Sequence, residues 1–376
     1  MLVSRRNALM SGVALGASAL LGKSASAAPG ALPRPLPGPL LTLEDYERAA
    51  RDRIDPVTWE YIASGAADEI TVRWNVDAYR SLRLVPRQLR DVSTLDLGVT
   101  LLGQRLAHPI LLAPTACHQL AHPDGERGTA RGARAAGAGM VLSSYSTIAV
   151  EQVAAEKPPL FWFQLYVQDR DYSERLLRRA VAAGATAIAV TIDTPMSGAR
   201  NRQDRSGFAF PKNLPHISAG RAEHPLTWKD LEWIQRAASV PLFLKGVLHP
   251  DDADLAVKSG AAGIMVSNHG GRNLDTALPT IDALPAIVDK VAGRIPVLVD
   301  GGIRRGTDVL KALANGANAV MIGRPYVHGL AVNGAPGVEA VVGILRHELE
   351  LAMALTGCST IASIDRGILA GSCQRG

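Results

Sequence analysis

From about residue 105 onward, short continuous apolar runs alternate with longer stretches of helical periodicity. The runs that read as strands are Ile110–Ala113, Met140–Ser143, Phe161–Tyr166, Ala187–Asp193, Leu242–Lys245, Gly263–Ser267, Val297–Asp300 and Ala319–Ile322. Each is apolar throughout rather than alternating, as strands buried on both faces of a parallel sheet must be. Between them lie amphipathic segments such as Ser173–Ala183, Asp251–Ser259 and Thr307–Asn315, closed by Gly184, Gly260 and Gly316, the residue type that most easily takes the left-handed turn at a helix end. Eight strand–helix units in series predict an α/β protein with a (β/α)8 TIM barrel; a doubly wound open sheet is the alternative that the pattern alone leaves. Ahead of the barrel, helical spacing from Leu43 to about Ala67 predicts a short N-terminal helical extension of two helices, ending near Ser64-Gly65. The connection after the fourth strand, from about Thr194 to Leu226, far exceeds the usual ~2–6 residues and reads as a lid or substrate-facing loop.

The start of the chain follows different rules. Ser4-Arg5-Arg6-Asn7, an apolar stretch from Met10 to Leu21 and Ala25-Ser26-Ala27 form the charged, apolar and small-residue parts of an export signal peptide over residues 1–27. The paired arginines resemble the twin-arginine type, which carries folded proteins, so a periplasmic location is expected. An ordinary secretory signal or an uncleaved anchor is the alternative, although the apolar stretch is too short for a stable membrane span. Residues 28–40 are a Pro-rich linker, and 41–376 form the folded domain. Without Arg5, Arg6 and Lys23 the net charge falls from +5 to +2, and the remaining Lys and Arg are scattered without interleaved aromatics, which argues against nucleic acid. Cys117, Cys358 and Cys373 are an odd set without metal-ligand spacing, so neither a disulfide framework nor a metal site is expected.

Chemistry in such a barrel sits where strands end and the following loops begin. Tyr166, Asp193, Lys245, His269, Asp300 and Arg324 close or closely follow candidate strands. Ser267-Asn268-His269-Gly270-Gly271-Arg272 places an imidazole three residues from a guanidinium, a proton acceptor beside a carboxylate-matching fork. A histidine capping its loop and an arginine on the rim are the bland alternative. Asp193 ends a buried strand and needs a partner; His269 is the candidate, which a neighbouring carboxylate would make more basic, and a carboxylate capping the next turn is the alternative. The glycine-rich turns Asp300–Gly306 and Gly323-Arg324-Pro325 offer backbone N–H groups to an anion, the usual phosphate seat of barrels. The absence of G-x-x-x-x-G-K-[ST] and of a strand-borne G-x-G-x-x-G weakens a nucleoside triphosphate or dinucleotide reading.

The segments ILLAPTA, WFQLYV, TIDTP, LKGV, VSNHGGR, DGGIRRGTD and IGRP resemble the FMN-dependent L-2-hydroxy-acid oxidase and dehydrogenase family, which includes glycolate oxidase, lactate oxidase and mandelate dehydrogenase. The similarity runs from about Leu43 to Asp365. It implies FMN as cofactor, His269 as the active-site base and Asp193 as its partner. It further implies that Arg272, Arg200 and the hydroxyl of Tyr61 hold the substrate carboxylate, with Tyr166 on the oxygen that changes oxidation state. Lys245 would face the N1/O2 edge of the flavin, Pro114, Thr115 and Ala116 its N5 side, and Ser143, Gln164 and Thr191 the ring; Ser267 joins this cofactor set. Asp300, Gly302, Arg304, Gly323 and Arg324 would take the ribityl chain and phosphate, and a homotetramer is implied. Tyr145 stands where plant glycolate oxidases carry tryptophan and lactate oxidases tyrosine, so L-lactate is the first substrate expected, ahead of glycolate or a longer hydroxy acid. Ala116 favours O2 as electron acceptor, against a quinone or cytochrome. A protein that binds flavin or hydroxy acid without turnover is the non-catalytic alternative.

Overall fold

A computed structural model of the chain describes residues 38–218, 220 and 224–370. The export segment and nearly all of the Pro-rich linker lie outside the described residues.

Ten strands occur among them: β1 Val99–Leu101, β2 Gln104–Leu106, β3 Ile110–Leu112, β4 Gly139–Ser143, β5 Phe161–Leu165, β6 Ile188–Thr191, β7 Leu242–Val247, β8 Gly263–Val266, β9 Val297–Val299 and β10 Ala319–Ile322. β3 to β10 are parallel and close on themselves in chain order, β10 pairing β3 through Val320–Ile110, Met321–Leu111 and Ile322–Leu112. The doubly wound alternative is thereby excluded, and all eight runs read as strands fall on the barrel. Continuous apolarity has a simple cause in the packing. Alternate residues face two different cores, with Leu111, Val141, Trp162, Ala189, Phe243, Met265, Leu298 and Met321 forming one cluster and Ile110, Leu112, Met140, Leu142, Phe163, Leu244 and Val266 joining the helices in another. Val99, Leu101 and Leu106 belong to the first cluster, so the antiparallel β1–β2 hairpin packs with the barrel interior.

The expected N-terminal helices are Leu43–Arg51 and Pro56–Ala63. A third, Ile70–Ser81, follows. The three helices expected between strands are Arg170–Ala182, Pro250–Lys258 and Gly306–Ala314, and Gly184, Gly260 and Gly316 take φ of +109°, +77° and +97°. After β10 the chain forms Arg324–Thr356, broken by non-helical angles at Asn333 and Gly334. Among the described residues no helix is long and apolar enough to cross a membrane, and no group of His, Cys, Asp or Glu could hold a metal ion.

Candidate active site

A bulge after Lys245 in β7, where Gly246 has φ +110°, brings backbone against Asp193; a Cβ at Gly246 would collide with the Asp193 side chain. On the loop after β8, His269, Gly270 and Gly271 are all left-handed, at φ +58°, +63° and +74°. His269 Nδ1 donates to Asp193 Oδ1 at 3.0 Å, and its Nε2 accepts from the Tyr166 hydroxyl at 3.1 Å. One tautomer satisfies both contacts, leaving the Nε2 lone pair on the Tyr166 side.

The charges follow from burial and neighbours. Burial lowers the His269 pKa and Asp193 raises it, but Lys245 and Arg272 push it down again, so it lies below the ordinary histidine value of 6.5. The neighbouring carboxylate raises the basicity as expected, but burial and the two cations outweigh it, so the resting imidazole is a free base. Burial disfavours the Asp193 carboxylate, yet His269 and Lys245 outweigh it and hold its pKa below the usual range. Burial likewise opposes the charge on Lys245, which Asp300 and Asp193 restore. Lys245 Nζ lies 2.9 Å from Ser267 Oγ and 3.4 Å from Asp300 Oδ2.

Two arginines hang from the end of the helix Pro56–Ala63. Arg272 Nη1 donates to the carbonyls of Tyr61 and Ser64, both at 2.7 Å, with its guanidinium 5.1 Å from the centre of the Tyr61 ring. Arg324 donates to the carbonyls of Ile62, Gly270 and Ser64 at 3.0, 3.0 and 2.9 Å. Arg200 Nε reaches the Arg272 carbonyl at 3.3 Å, and Arg304 Nη1 the Ile303 carbonyl at 3.0 Å. None of these four is ion-paired with a carboxylate among the described residues. Burial, reinforced by neighbouring arginines, lowers Arg272 to about 10 and Arg324 to about 9, so both remain cationic at neutral pH. Clustered cations without acidic partners make this a site for anions.

They surround a cavity of about 690 Å³. Its lining includes Tyr61, Tyr145, Tyr166, Arg200, His269 and Arg272 of the expected substrate set. Pro114, Thr115, Ala116, Ser143, Gln164, Thr191, Lys245, Asp300, Gly302, Arg304, Gly323 and Arg324 of the expected cofactor set line it too. Asp193 and Ser267 do not. Asp193 stands behind His269, while Ser267 Oγ accepts from Lys245 and from the His269 N–H at 3.1 Å, so Ser267 ties Lys245 to the loop that carries His269. The 194–226 connection contributes Thr194, Ser197, Arg200, Phe210, Ile217 and Ser218 to the lining, as a substrate-facing loop should. Phe210 escaped the sequence reading. Its ring lies 5.2 Å from Tyr61 and 5.6 Å from Tyr145, and Phe208 stacks on Tyr61 at 4.2 Å; the only available signal was Phe-Ala-Phe in an otherwise polar loop.

The residues present fit an elongated group that is anionic at one end. There Arg304 and Arg324 flank the start of the helix Arg324–Thr356, whose N-cap Gly323 supplies no capping side chain, leaving N–H groups for a phosphate. Arg324 offers less side-chain capacity than its sequence position implies, because three carbonyls engage it. Buried Asp300 Oδ1 has no hydrogen-bond partner, as an acceptor awaiting a hydroxyl would. Nearer the imidazole, Ser143 Oγ donates to Gln164 Oε1 at 3.0 Å and Gln164 Nε2 to Thr191 Oγ1 at 2.8 Å, a polar edge matching a heteroaromatic ring.

The chain is similar to known proteins over most of its length. It is 46% identical over 351 residues to glycolate oxidase 1 of Oryza sativa subsp. indica, covering 88% of this chain and 95% of that protein. It is 46% identical over 356 residues to an L-lactate oxidase of Nostoc sp., covering 88% and 98%. A solved structure of mandelate oxidase with benzoyl-formic acid superposes with a TM-score of 0.84 at 41% identity, covering 88% of this chain and 98% of that one. The model of the FMN-dependent dehydrogenase family matches residues 50–371, and the chain belongs to that family.

Proposed function

We propose that this flavoprotein oxidises an L-2-hydroxy acid to the 2-oxo acid with O2 as electron acceptor and FMN as cofactor. The observation that carries the proposal is His269 held between Asp193 and Tyr166, beside Arg272 and Arg200, neither of which is ion-paired with a carboxylate among the described residues. Arg272 and Arg200, with the Tyr61 hydroxyl, grip the substrate carboxylate by charge-assisted hydrogen bonds. His269 Nε2 takes a proton from the carbinol centre, and Asp193 steadies the imidazolium that forms. On substrate binding the Tyr166 hydroxyl passes from Nε2 to the substrate oxygen, which frees that lone pair; burial raises its pKa above the usual tyrosine value, so it stays a donor. When bound, FMN would supply the acceptor for the two electrons and the remaining hydrogen of the carbinol, and O2 would reoxidise it to give hydrogen peroxide. Lys245 supplies positive charge beside the cofactor seat, where electron density accumulates.

Tyr145, Val167, Phe210 and Ile217 give the cavity an apolar wall, which suits an apolar substituent, and L-lactate is the first substrate expected. Steady-state oxidation of a panel of glycolate, L-lactate, D-lactate and longer L-2-hydroxy acids, with and without O2, tests this reading. Turnover of L-lactate with O2 consumption is expected; a preference for D-lactate, or turnover only with an artificial acceptor, contradicts it. The same proposal has the chain leave the cytoplasm folded, through residues 1–27, and work in the periplasm as a homotetramer. The paired arginines, the short apolar stretch and the Ala-Ser-Ala site support the export, while the homotetramer rests on the family resemblance alone.

A further inference from the structure

Asn75 lies on the helix Ile70–Ser81, outside the barrel, and is buried against Asn268. The two amides pair reciprocally: Asn75 Nδ2 donates to Asn268 Oδ1 at 2.9 Å, and Asn268 Nδ2 donates to Asn75 Oδ1 at 2.7 Å. Asn268 Oδ1 also accepts from the Gly271 N–H at 3.1 Å, while its Nδ2 reaches the Leu278 carbonyl at 3.1 Å. Asn75 Oδ1 accepts further from the Thr280 N–H at 3.4 Å. The pair therefore braces the loop that holds His269, Gly270 and Gly271 in left-handed conformations, and Arg272 follows directly.

Three further contacts tie the same helix to the loops of the site. Asp275, on the same loop, accepts from the N–H groups of Thr71 at 2.8 Å and Asp68 at 3.0 Å. It thus caps a helix whose own N-cap, Glu69, provides no side-chain cap. On the other side, Gly302 has φ +83°, and a Cβ there would collide with the Asn75 carbonyl. One residue outside the barrel thus touches both the loop bearing the base and the loop bearing the cofactor seat.

We propose that Asn75 is a positioning residue for hydroxy-acid oxidation: through Asn268 it keeps His269 and Arg272 in register with the cofactor seat at Gly302. It does not line the cavity. An amide suits the task because it offers donor and acceptor at fixed spacing without adding charge to the Asp193, Lys245 and Arg272 groups that face His269 alongside the Tyr166 hydroxyl. The inference rests on His269 being the base.

The test compares wild type, Asn75→Ala and Asn75→Asp as FMN-loaded proteins, by kcat and KM across pH and by hydrogen exchange of residues 267–272. A shift of the reacting groups by about an ångström costs on the order of 10²-fold in rate, and that loss of kcat is expected for Asn75→Ala, with KM rising as Arg272 loosens its hold on the substrate carboxylate. The acid limb of kcat/KM moves up toward the ordinary histidine value as the imidazole gains solvent, and exchange in the loop accelerates. Wild-type kcat and an unmoved acid limb, even alongside a lowered melting temperature, overturn the proposal by leaving Asn75 a purely structural role. If Asn75→Ala yields no soluble holoenzyme, Asn75→Asp sets a carboxylate oxygen against Asn268 Oδ1 and must move the same acid limb; an unmoved limb overturns it equally. Exchange needs no turnover. A wild type that oxidises no hydroxy acid would refute the functional reading, whereas unaccelerated exchange in the variants refutes the brace itself.

Discussion

A φ of +58° at His269 places a side-chain-bearing residue where glycine is the usual occupant, a conformation that costs on the order of 1 kcal/mol or more and persists only when its surroundings enforce it. What the strain secures is direction: Nδ1 meets Asp193 and Nε2 faces Tyr166. The base must be neutral to act, and its pKa lies below 6.5 because burial, Lys245 and Arg272 outweigh Asp193. Activity is therefore expected to persist below pH 6.5 and to fall as pH drops through the lowered value, giving an acid limb of kcat/KM on the acid side of free histidine. Asp193→Asn removes the upward pull and the tautomer control together, so it should shift that limb lower still and cut kcat by about 10²–10⁴-fold. A pH–rate profile of the pair checks both statements; an acid limb that rises in Asp193→Asn contradicts them. The chemistry of these residues was legible because glycine, histidine and arginine crowd a few strand ends. The sign of the His269 shift was not, since burial and two cations brought from β7 and its own loop exist only once the barrel closes.

At the scale of elements, the substrate-facing loop is secured by a buried histidine. His216 Nε2 accepts from the Val150 N–H at 3.0 Å, its Nδ1 lies 3.0 Å from Ser146 Oγ, and its carbonyl accepts from Gln168 at 2.9 Å. Burial and Arg179 push its pKa down to about 4, against 6.5 in an unstructured chain. The unfolded state thus takes up a proton first, and stability is lost as pH falls from about 6.5 toward about 4, by up to about 3 kcal/mol for this one group. His216→Gln should flatten that part of the melting-temperature profile while lowering stability at neutral pH; an equally steep loss in the variant would show that other groups carry it. The eight barrel strands could be read from sequence because each is a continuous apolar run bounded by turn residues. The β1–β2 hairpin could not: its strands are three residues long, and Thr100 and Arg105 face outward. The helix Ile70–Ser81 is equally silent, since its cap comes from Asp275, more than two hundred residues away.

On the scale of the whole molecule, a barrel holds cofactor and substrate groups on separate loops around one cavity, and the solved mandelate oxidase structure superposes on that frame over 98% of its own chain. A protein that must be loaded with FMN gains from being folded before it is moved, which is what a twin-arginine signal permits. Replacing Arg5 and Arg6 with lysine should therefore retain FMN-loaded enzyme in the cytoplasm, as cell fractionation would detect; unaffected translocation contradicts that route. The central claim is that His269 is the base in a flavin-dependent oxidation, and anaerobic rapid mixing of holoenzyme with L-lactate tests it most directly. Wild type should bleach its yellow absorption, while His269→Gln, with the same FMN content, should bleach slower by about 10²–10⁴-fold. Equal rates in the two proteins, or a wild-type flavin that stays oxidised, would contradict the account.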